Sequence, residues 1–263
     1  MEREGIGKNT TKEKIKAGQA VIGFRLNFIS PDVIEILSNI GLDFVYFDCE
    51  HGSMSEETCQ DMIRVAELVG LTPIVRVASN QPWFILRALD LGAMGIIVPH
   101  CNTKEEVQRA VEAAKYPPVG DRGIGGRSLR LSGMLRADYI VEANKETMVI
   151  AMIEDIKAID NLSEILAIGE LDVLWVGRAD LSLSMGVPGQ VNHPMIQEAV
   201  KKVITQGRAA GKAVGVGALP VDDPGSYRQF LRQGAQFFSV DSATLLRSAA
   251  RQLLQKVKLG NVV

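Results

Sequence analysis

Short, almost wholly apolar runs alternate with longer segments of helical spacing from one end of the chain to the other. The runs AVIGFRLN (20–27), FVYFDCEH (44–51), PIVRVAS (73–79), GIIVPH (95–100), MVIAMIED (148–155), VLWVGRAD (173–180), AVGVGALP (213–220) and FFSVDSA (237–243) are rich in β-branched and aromatic residues. Apolar on both faces, they have the pattern of parallel strands covered on both sides. Between them, Met62, Ile63, Ala66 and Val69 fall on one helical stripe, with Ser55 placed to cap its start. Thr103 and Glu106 have the spacing of a capping box, and Gly211 ends another helical run. Eight strands, seven helical crossovers and a closing helix predict an α/β fold, a (β/α)8 TIM barrel over residues 17–263, preceded by a polar segment over 1–16. A doubly wound open sheet is the other arrangement, but no glycine fingerprint follows the first strand. One stretch, YPPVGDRGIGGRSLRLSGMLRA (116–137), breaks the alternation, and loops of such length in compact domains are functional or disordered.

Composition narrows the possibilities. The 263 residues carry a formal net charge of −2, so no basic field is present to attract nucleic acid or an anionic membrane. Cys49, Cys59 and Cys101 are odd in number and widely spaced, which argues against a disulfide framework or a structural zinc site. The polar N-terminus lacks the apolar core of a signal peptide, and no transmembrane run follows; the expected compartment is the cytoplasm.

In a barrel, the C-terminal ends of the strands build the active site, so what each strand ends in is the informative question. Arg25 lies on strand one; Asp48, Glu50 and His51 end strand two; Arg76 interrupts strand three; His100 ends strand four. Glu154 and Asp155 end strand five, Arg178 and Asp180 strand six, and Asp241 and Ser242 strand eight, while strand seven ends uncharged at Gly217 and Ala218. Ionisable groups at one rim make a convergent cup. Glu154 and Asp180, on neighbouring strands, suit Mg²⁺ or Mn²⁺ with positions left open for a chelating ligand; alternatively each pairs with a nearby arginine. Arg76 is either a clamp for a substrate anion or an ion-pair partner of Asp48, Glu50 or Glu154. His51, three residues after Asp48, is a candidate proton shuttle, with a strand-end loop contact as the alternative; His100 is a lesser candidate and His193 a local helix-start residue. Cys49 is expected to pack, and Asp155 to point outward by alternation. GDRGIGGRS has the composition of an anion cradle without the P-loop pattern.

The segments DFVYFDCEHG, PIVRVAS, LDLGAMGIIVPHCNTKEEV, YPPVGDRGIGG, MIEDIKAIDNLSEI and VGRADLSLSMG together resemble the HpcH/HpaI aldolases, the metal-dependent, pyruvate-utilising class that includes 2-dehydro-3-deoxyglucarate and 4-hydroxy-2-oxoheptanedioate aldolases. The resemblance spans residues 17–256 and implies a phosphoenolpyruvate/pyruvate-type barrel. It implies Glu154 and Asp180 as ligands of Mg²⁺ or Mn²⁺, with Co²⁺ a further candidate. It implies Arg76 on the pyruvate or enolate oxygen, His51 oriented by Asp48 as acid/base, and the backbone of Gly177 and Ala179 on the substrate carboxylate. Asp90 matches an aspartate that reaches a neighbouring subunit's site, and the family's assembly is a homo-hexamer, a trimer of dimers with the last helix exchanged. The small-molecule partners so implied are a 2-oxo acid and an aldehyde. No strand-end lysine enters the cup, which disfavours Schiff-base chemistry.

Three departures accompany the resemblance. Met152 stands where the aldolases carry glutamine, Arg178 stands in GRADLS where many have GPADLS, and Arg25 replaces a tryptophan of the aldehyde pocket. Arg25 or Arg178 is thereby expected to favour an acidic or phosphorylated second substrate. Alternative activities for the same site are oxaloacetate decarboxylation or cleavage of a CoA thioester, as in citrate lyase β-chain relatives. A catalytically silent acid-binding barrel is the non-enzymatic alternative.

Overall fold

The computed structural model describes residues 7–217 and 219–258; residues 1–6, 259–263 and Ala218, expected to end strand seven, lie outside them. Strands β1 (Val21–Leu26), β2 (Phe44–Asp48), β3 (Thr72–Arg76), β4 (Gly95–Val98), β5 (Met148–Ile153), β6 (Val173–Val176), β7 (Ala213–Val216) and β8 (Phe237–Asp241) close into a parallel barrel. Each strand pairs with the next, and β8 returns to β1. Helix α1 (Thr10–Lys16) precedes the barrel, and α2 (Pro31–Ser38), α3 (Glu56–Leu68), α4 (Pro82–Leu91) and α5 (Lys104–Ala114) follow β1 to β4. The irregular stretch holds a short helix, α6 (Gly126–Leu131), and leads into α7 (Arg136–Glu146). Helices α8 (Ile156–Asp160) and α9 (Leu162–Leu166) follow β5, α10 (Arg178–Ser184) and α11 (Pro194–Ala209) follow β6, α12 (Pro224–Gln233) follows β7 and α13 (Ser242–Lys258) closes the chain. Among the described residues no helix is long and apolar enough to cross a membrane.

Local chemistry sets the helix starts. The Ser55 side chain accepts from the N–H of Thr58, and Thr103 and Glu106 form the full reciprocal capping box. His193 is the N-cap of α11, its ring nitrogen accepting from the N–H of Met195, as befits a local residue.

Alternation along the strands divides the apolar residues into two cores. One faces the helices; the other fills the barrel interior with Phe44, Tyr46, Ile74, Ile97, Ile150 and Trp175 among its members. Phe44 and Phe237 stack there with ring centroids 4.4 Å apart, and Gly23 is required beside them, since a Cβ would lie 2.3 Å from the Phe44 ring. Full burial of each such aromatic contributes roughly 1.5–3 kcal/mol.

Helix α1 falls within the expected polar segment but plugs the N-terminal end of the barrel. Ile15 joins the interior core, Asn9 donates to Met94 O and Glu146 O, and the Thr11 hydroxyl donates to Asp43 O or to the Thr72 hydroxyl. Hydrophilic composition concealed this because α1 docks through polar side chains onto strand-end backbone.

The strands are shorter than the apolar runs that announced them. β2 stops at Asp48, leaving Glu50 and His51 on the bend beyond. β6 stops at Val176, so Arg178 and Asp180 belong to the first turn of α10 and not to strand six as expected. Gly177 makes the change: its N–H still donates to Ile153 O in the sheet, while its carbonyl accepts from Leu181 N as the first bond of the helix.

Candidate active site

The inward-facing ends of β1, β2, β3 and β8 meet in an ion-pair network. Asp48 is fully buried and receives Arg76 on both oxygens, Nε on Oδ1 at 2.9 Å and Nη2 on Oδ2 at 2.6 Å. Arg25 donates to the same carboxylate through Nε at 2.9 Å and through Nη2, and its Nη1 lies 3.5 Å from Asp241. Burial alone would push the Asp48 carboxyl up, but the hydrogen bonds and charges of Arg76 and Arg25 outweigh it and hold its pKa at about 2. Asp48 is therefore a permanent anion at the foot of the cup.

This corrects the expected pairing of Asp48 with the His51 ring. Asp48 Oδ1 accepts the main-chain N–H groups of Glu50 and His51, each at 3.2 Å, so it fixes the bend that carries His51. The carboxylate nearest the ring is Glu50, whose Oε2 lies 3.7 Å from His51 Nε2. The His51 side chain is 60% exposed, as a group that meets substrate from solvent should be.

Glu50 is more central than its sequence position indicated. Arg76 Nη1 lies 2.9 Å from Glu50 Oε2 and 3.9 Å from Met152 Sδ. Arg76 thus satisfies its ion-pair alternative with Asp48 and Glu50, while its Nη1 edge turns towards Met152 inside the cup. Met152, standing where a glutamine was expected, packs beside the arginine and offers only a weak sulfur acceptor.

Glu154 lies across the cup on the residue after β5. It is 4% exposed, its Oε1 accepts the N–H of His100 at 2.8 Å, and His100 Nδ1 lies 3.6 Å from the same oxygen. Burial raises its pKa, the His100 N–H opposes this, and the nearby charges of Glu50 and Asp180 raise it further. Gly177 makes room for it, since a Cβ there would come within 2.9 Å of Glu154 Oε2. Glu50 and Asp180 lie close enough for their negative charge to act on Glu154. Hard oxygen donors concentrating negative charge in a part-buried cup fit a divalent cation. Among the described residues no group of three or more His, Cys, Asp or Glu side chains is arranged as a complete metal cage. A site of two carboxylates leaves the remaining positions to substrate oxygens and water, the usual arrangement for Mg²⁺.

Other expected site residues are placed differently. The Gly177 N–H is committed to Ile153 O and is not available to a substrate carboxylate. The Ala179 N–H, in the first turn of α10, has no carbonyl of its own helix to bind. Arg178 is 2% exposed, donates to Gly217 O at 2.9 Å and lies 5.4 Å from the Phe230 ring centroid. It is packed between β7 and α12, so it does not offer the extra cation beside Asp180 that its sequence position implied. Arg25, bound to Asp48 and Asp241, is likewise engaged within the protein. Asp90 sits at the end of α4 that leads back to the N-terminal end of β4, away from the chain's own cup, and pairs with Arg122 at 3.1 Å. The loop arginines Arg122 and Arg127 are neutralised by Asp90 and Glu67, so GDRGIGGRS is not an open anion cradle.

The barrel, with carboxylates, a buried arginine and an exposed histidine at its rim, together with its relatives, marks a carbon–carbon lyase of the aldolase kind. The HpcH/HpaI aldolase/citrate lyase family model matches residues 22–248, and the chain belongs to that family. It is 36% identical over 245 residues to a 4-hydroxy-2-oxo-heptane-1,7-dioate aldolase of Salmonella paratyphi C, with 92% of each chain covered. An HpcH/HpaI aldolase from Desulfitobacterium hafniense superposes with a TM-score of 0.87 at 30% identity, covering 94% of this chain and 96% of that one. The citrate synthase SbnG superposes with a TM-score of 0.84 at 32% identity, covering 95% and 98%.

Proposed function

We propose that the chain cleaves 4-hydroxy-2-oxo acids to pyruvate and an aldehyde, with Glu154 and Asp180 holding Mg²⁺ or Mn²⁺. The observation that carries the proposal is the buried Glu154, under the negative charge of Glu50 and Asp180, in the cup where Arg76 Nη1 lies 2.9 Å from Glu50. When bound, the cation supplies Lewis-acid stabilisation of the charge that develops on the 2-oxo oxygen. The Arg76 Nη1 edge, held rigid by Asp48, faces that same charge without reorganising. His51 takes the proton of the C4 hydroxyl; the C3–C4 bond breaks, the aldehyde leaves, and the bonding pair passes to the enolate of pyruvate. Return of a proton to C3 gives pyruvate. The Ala179 N–H receives the substrate carboxylate.

A homo-oligomer is part of the same reading. Leu246, Leu253, Leu254 and Val257 on α13 are each more than half exposed, an apolar stripe of the kind that a second copy covers. Asp90 then serves a partner's site, in keeping with its distance from its own cup. Light scattering of the purified protein measures the assembly, and a monomer at working concentration would count against exchange of this helix.

The deciding experiment follows pyruvate release from a panel of hydroxy-oxo acids with Mg²⁺, Mn²⁺ or Co²⁺. The expected result is turnover abolished by EDTA and restored by added metal. No release from any member of the panel, or release indifferent to EDTA, overturns the proposal. The likeness to a citrate synthase favours one alternative on the same enolate-stabilising site, condensation or cleavage involving oxaloacetate or a CoA thioester. Free CoA released from a malyl-type thioester, without turnover of the hydroxy-oxo acids, selects it.

A further inference from the structure

His100 follows Pro99 at the end of β4 and has φ +55°, the one positive value of a non-glycine residue among the described residues. Side chains other than glycine hold this conformation at a cost, and it persists where the surroundings enforce it; His, Asn and Asp accept it more readily than most. The turn brings two parts of one residue onto one carboxylate. The main-chain N–H donates to Glu154 Oε1 at 2.8 Å, and Nδ1 of the ring lies 3.6 Å from that oxygen. The other ring nitrogen, Nε2, lies 3.6 Å from Glu50 Oε1. The imidazole therefore spans the gap between the carboxylates delivered by β2 and β5. The His51 ring does not share this position, lying on the opposite oxygen of Glu50 at 3.7 Å. A glycine would supply the same backbone and the same N–H without strain. What His100 adds to that backbone is the ring.

We propose that His100 is a positioning residue for Glu154: its left-handed backbone aims the N–H at Oε1, and its ring braces Glu154 against Glu50 so that the Glu154 carboxylate is held in one orientation at the rim. This rests on the reading of Glu154 as a metal ligand. Partners of this kind typically change metal affinity by about 10–100-fold when removed.

The test compares wild type, His100→Gly, His100→Asn and Glu154→Gln by Mn²⁺ binding without substrate, followed by electron paramagnetic resonance of free Mn²⁺, together with melting temperature and pyruvate release. His100→Gly is expected to melt at or above the wild-type temperature because strain is relieved, yet to bind Mn²⁺ about tenfold more weakly. Its half-saturating Mn²⁺ concentration for turnover rises by the same factor, while kcat recovers at saturating Mn²⁺. His100→Asn, which accepts the backbone and restores a short polar group, falls between the two. Wild-type Mn²⁺ affinity in His100→Gly overturns the role of the ring while leaving the aldolase reading intact. Mn²⁺ binding that is unaffected by Glu154→Gln overturns the metal-ligand assignment and this inference with it.

Discussion

At the N-terminal end of the barrel, Lys12 and Lys115 are buried side by side. Both ammonium groups donate to Thr147 O, Lys115 also to Asn144 O, and Lys12 pairs with Asp172 at 3.0 Å. Asp172 in turn accepts the N–H of Val149. At the C-terminal end, Asp48 is satisfied as thoroughly by Arg25, Arg76 and two main-chain N–H groups, but the carboxylates beside it are not. Glu50 Oε2 is buried without a hydrogen bond of good geometry although it lies 2.9 Å from Arg76 Nη1, and the Glu154 carboxyl is pushed up by burial and by its acidic neighbours. One end closes its charges into a structural plug, and the other leaves negative charge in excess over an open cup. A charged residue at a strand end is thus no sign of function in itself; an incompletely compensated one is.

The largest effect that would sharpen this contrast is expected from Glu154→Gln. Pyruvate release should fall on the order of 10⁴-fold, while urea unfolding shows equal or greater stability because a repelled buried carboxylate has been removed. Asp48→Asn should do the reverse in kind, removing about 3–5 kcal/mol of stability by stranding the buried guanidinium of Arg76. If Asp48→Asn unfolded at the wild-type urea concentration, the division between a structural foot and a catalytic rim would be wrong. Lys115→Met at the other end should cost about 1–3 kcal/mol by removing the donor to Asn144 O and one of the two donors to Thr147 O, and leave kcat/KM unchanged.

The pH dependence of stability separates the two ends further. Asp48 has a folded pKa of about 2, below its ordinary 3.8, so its contribution is present above pH 3.8 and is lost as pH falls towards 2. The loss is about 2 kcal/mol. Burial first, and then the charge of Lys12, lower the Lys115 pKa to about 8, from 10.5. The unfolded chain then binds more protons between these values, so stability rises with pH across that window. Chemical denaturation at pH 2–4 and pH 8–10.5 reads both slopes, and Lys115→Met should flatten only the alkaline one. The smallest effect belongs to Arg178→Met. The relative kcat/KM for acidic and neutral substrates should stay unchanged, because the guanidinium is engaged with Gly217 O and Phe230; a selective loss on acidic substrates would return Arg178 to the cup.

Much of the fold was legible because strand burial is written in consecutive apolar residues. The runs at 95–100 and 148–155 are strands from their predicted first residues, each ending two residues early, and the Thr103–Glu106 box starts α5 where its spacing placed it. Less of the cup was legible. The sequence grouped Asp48 with His51 because they are three residues apart, but side chains alternate along a strand and its bend, and the buried arginines of β1 and β3 claim Asp48 first. Arg178, two residues before Asp180, faces another way because residues i and i+2 in the first turn of α10 are separated by about 200° around the helix. His100 was visible only as a lesser strand-end candidate; its backbone dihedral and its two carboxylate distances reveal its place between Glu50 and Glu154.

The sequence by itself determined the barrel, the family and the inventory of rim residues, since these depend on local patterning and on motifs that keep their order along the chain. The tertiary structure alone decided which charge meets which. Asp48 belongs to two arginines, Glu50 lies between two imidazoles, and Lys12 and Lys115 close the opposite end. Those pairings join residues as far apart in the chain as Lys12 and Asp172 or Arg25 and Asp241, and their energies depend on burial and on distances of a few ångströms that arise only once the barrel has closed.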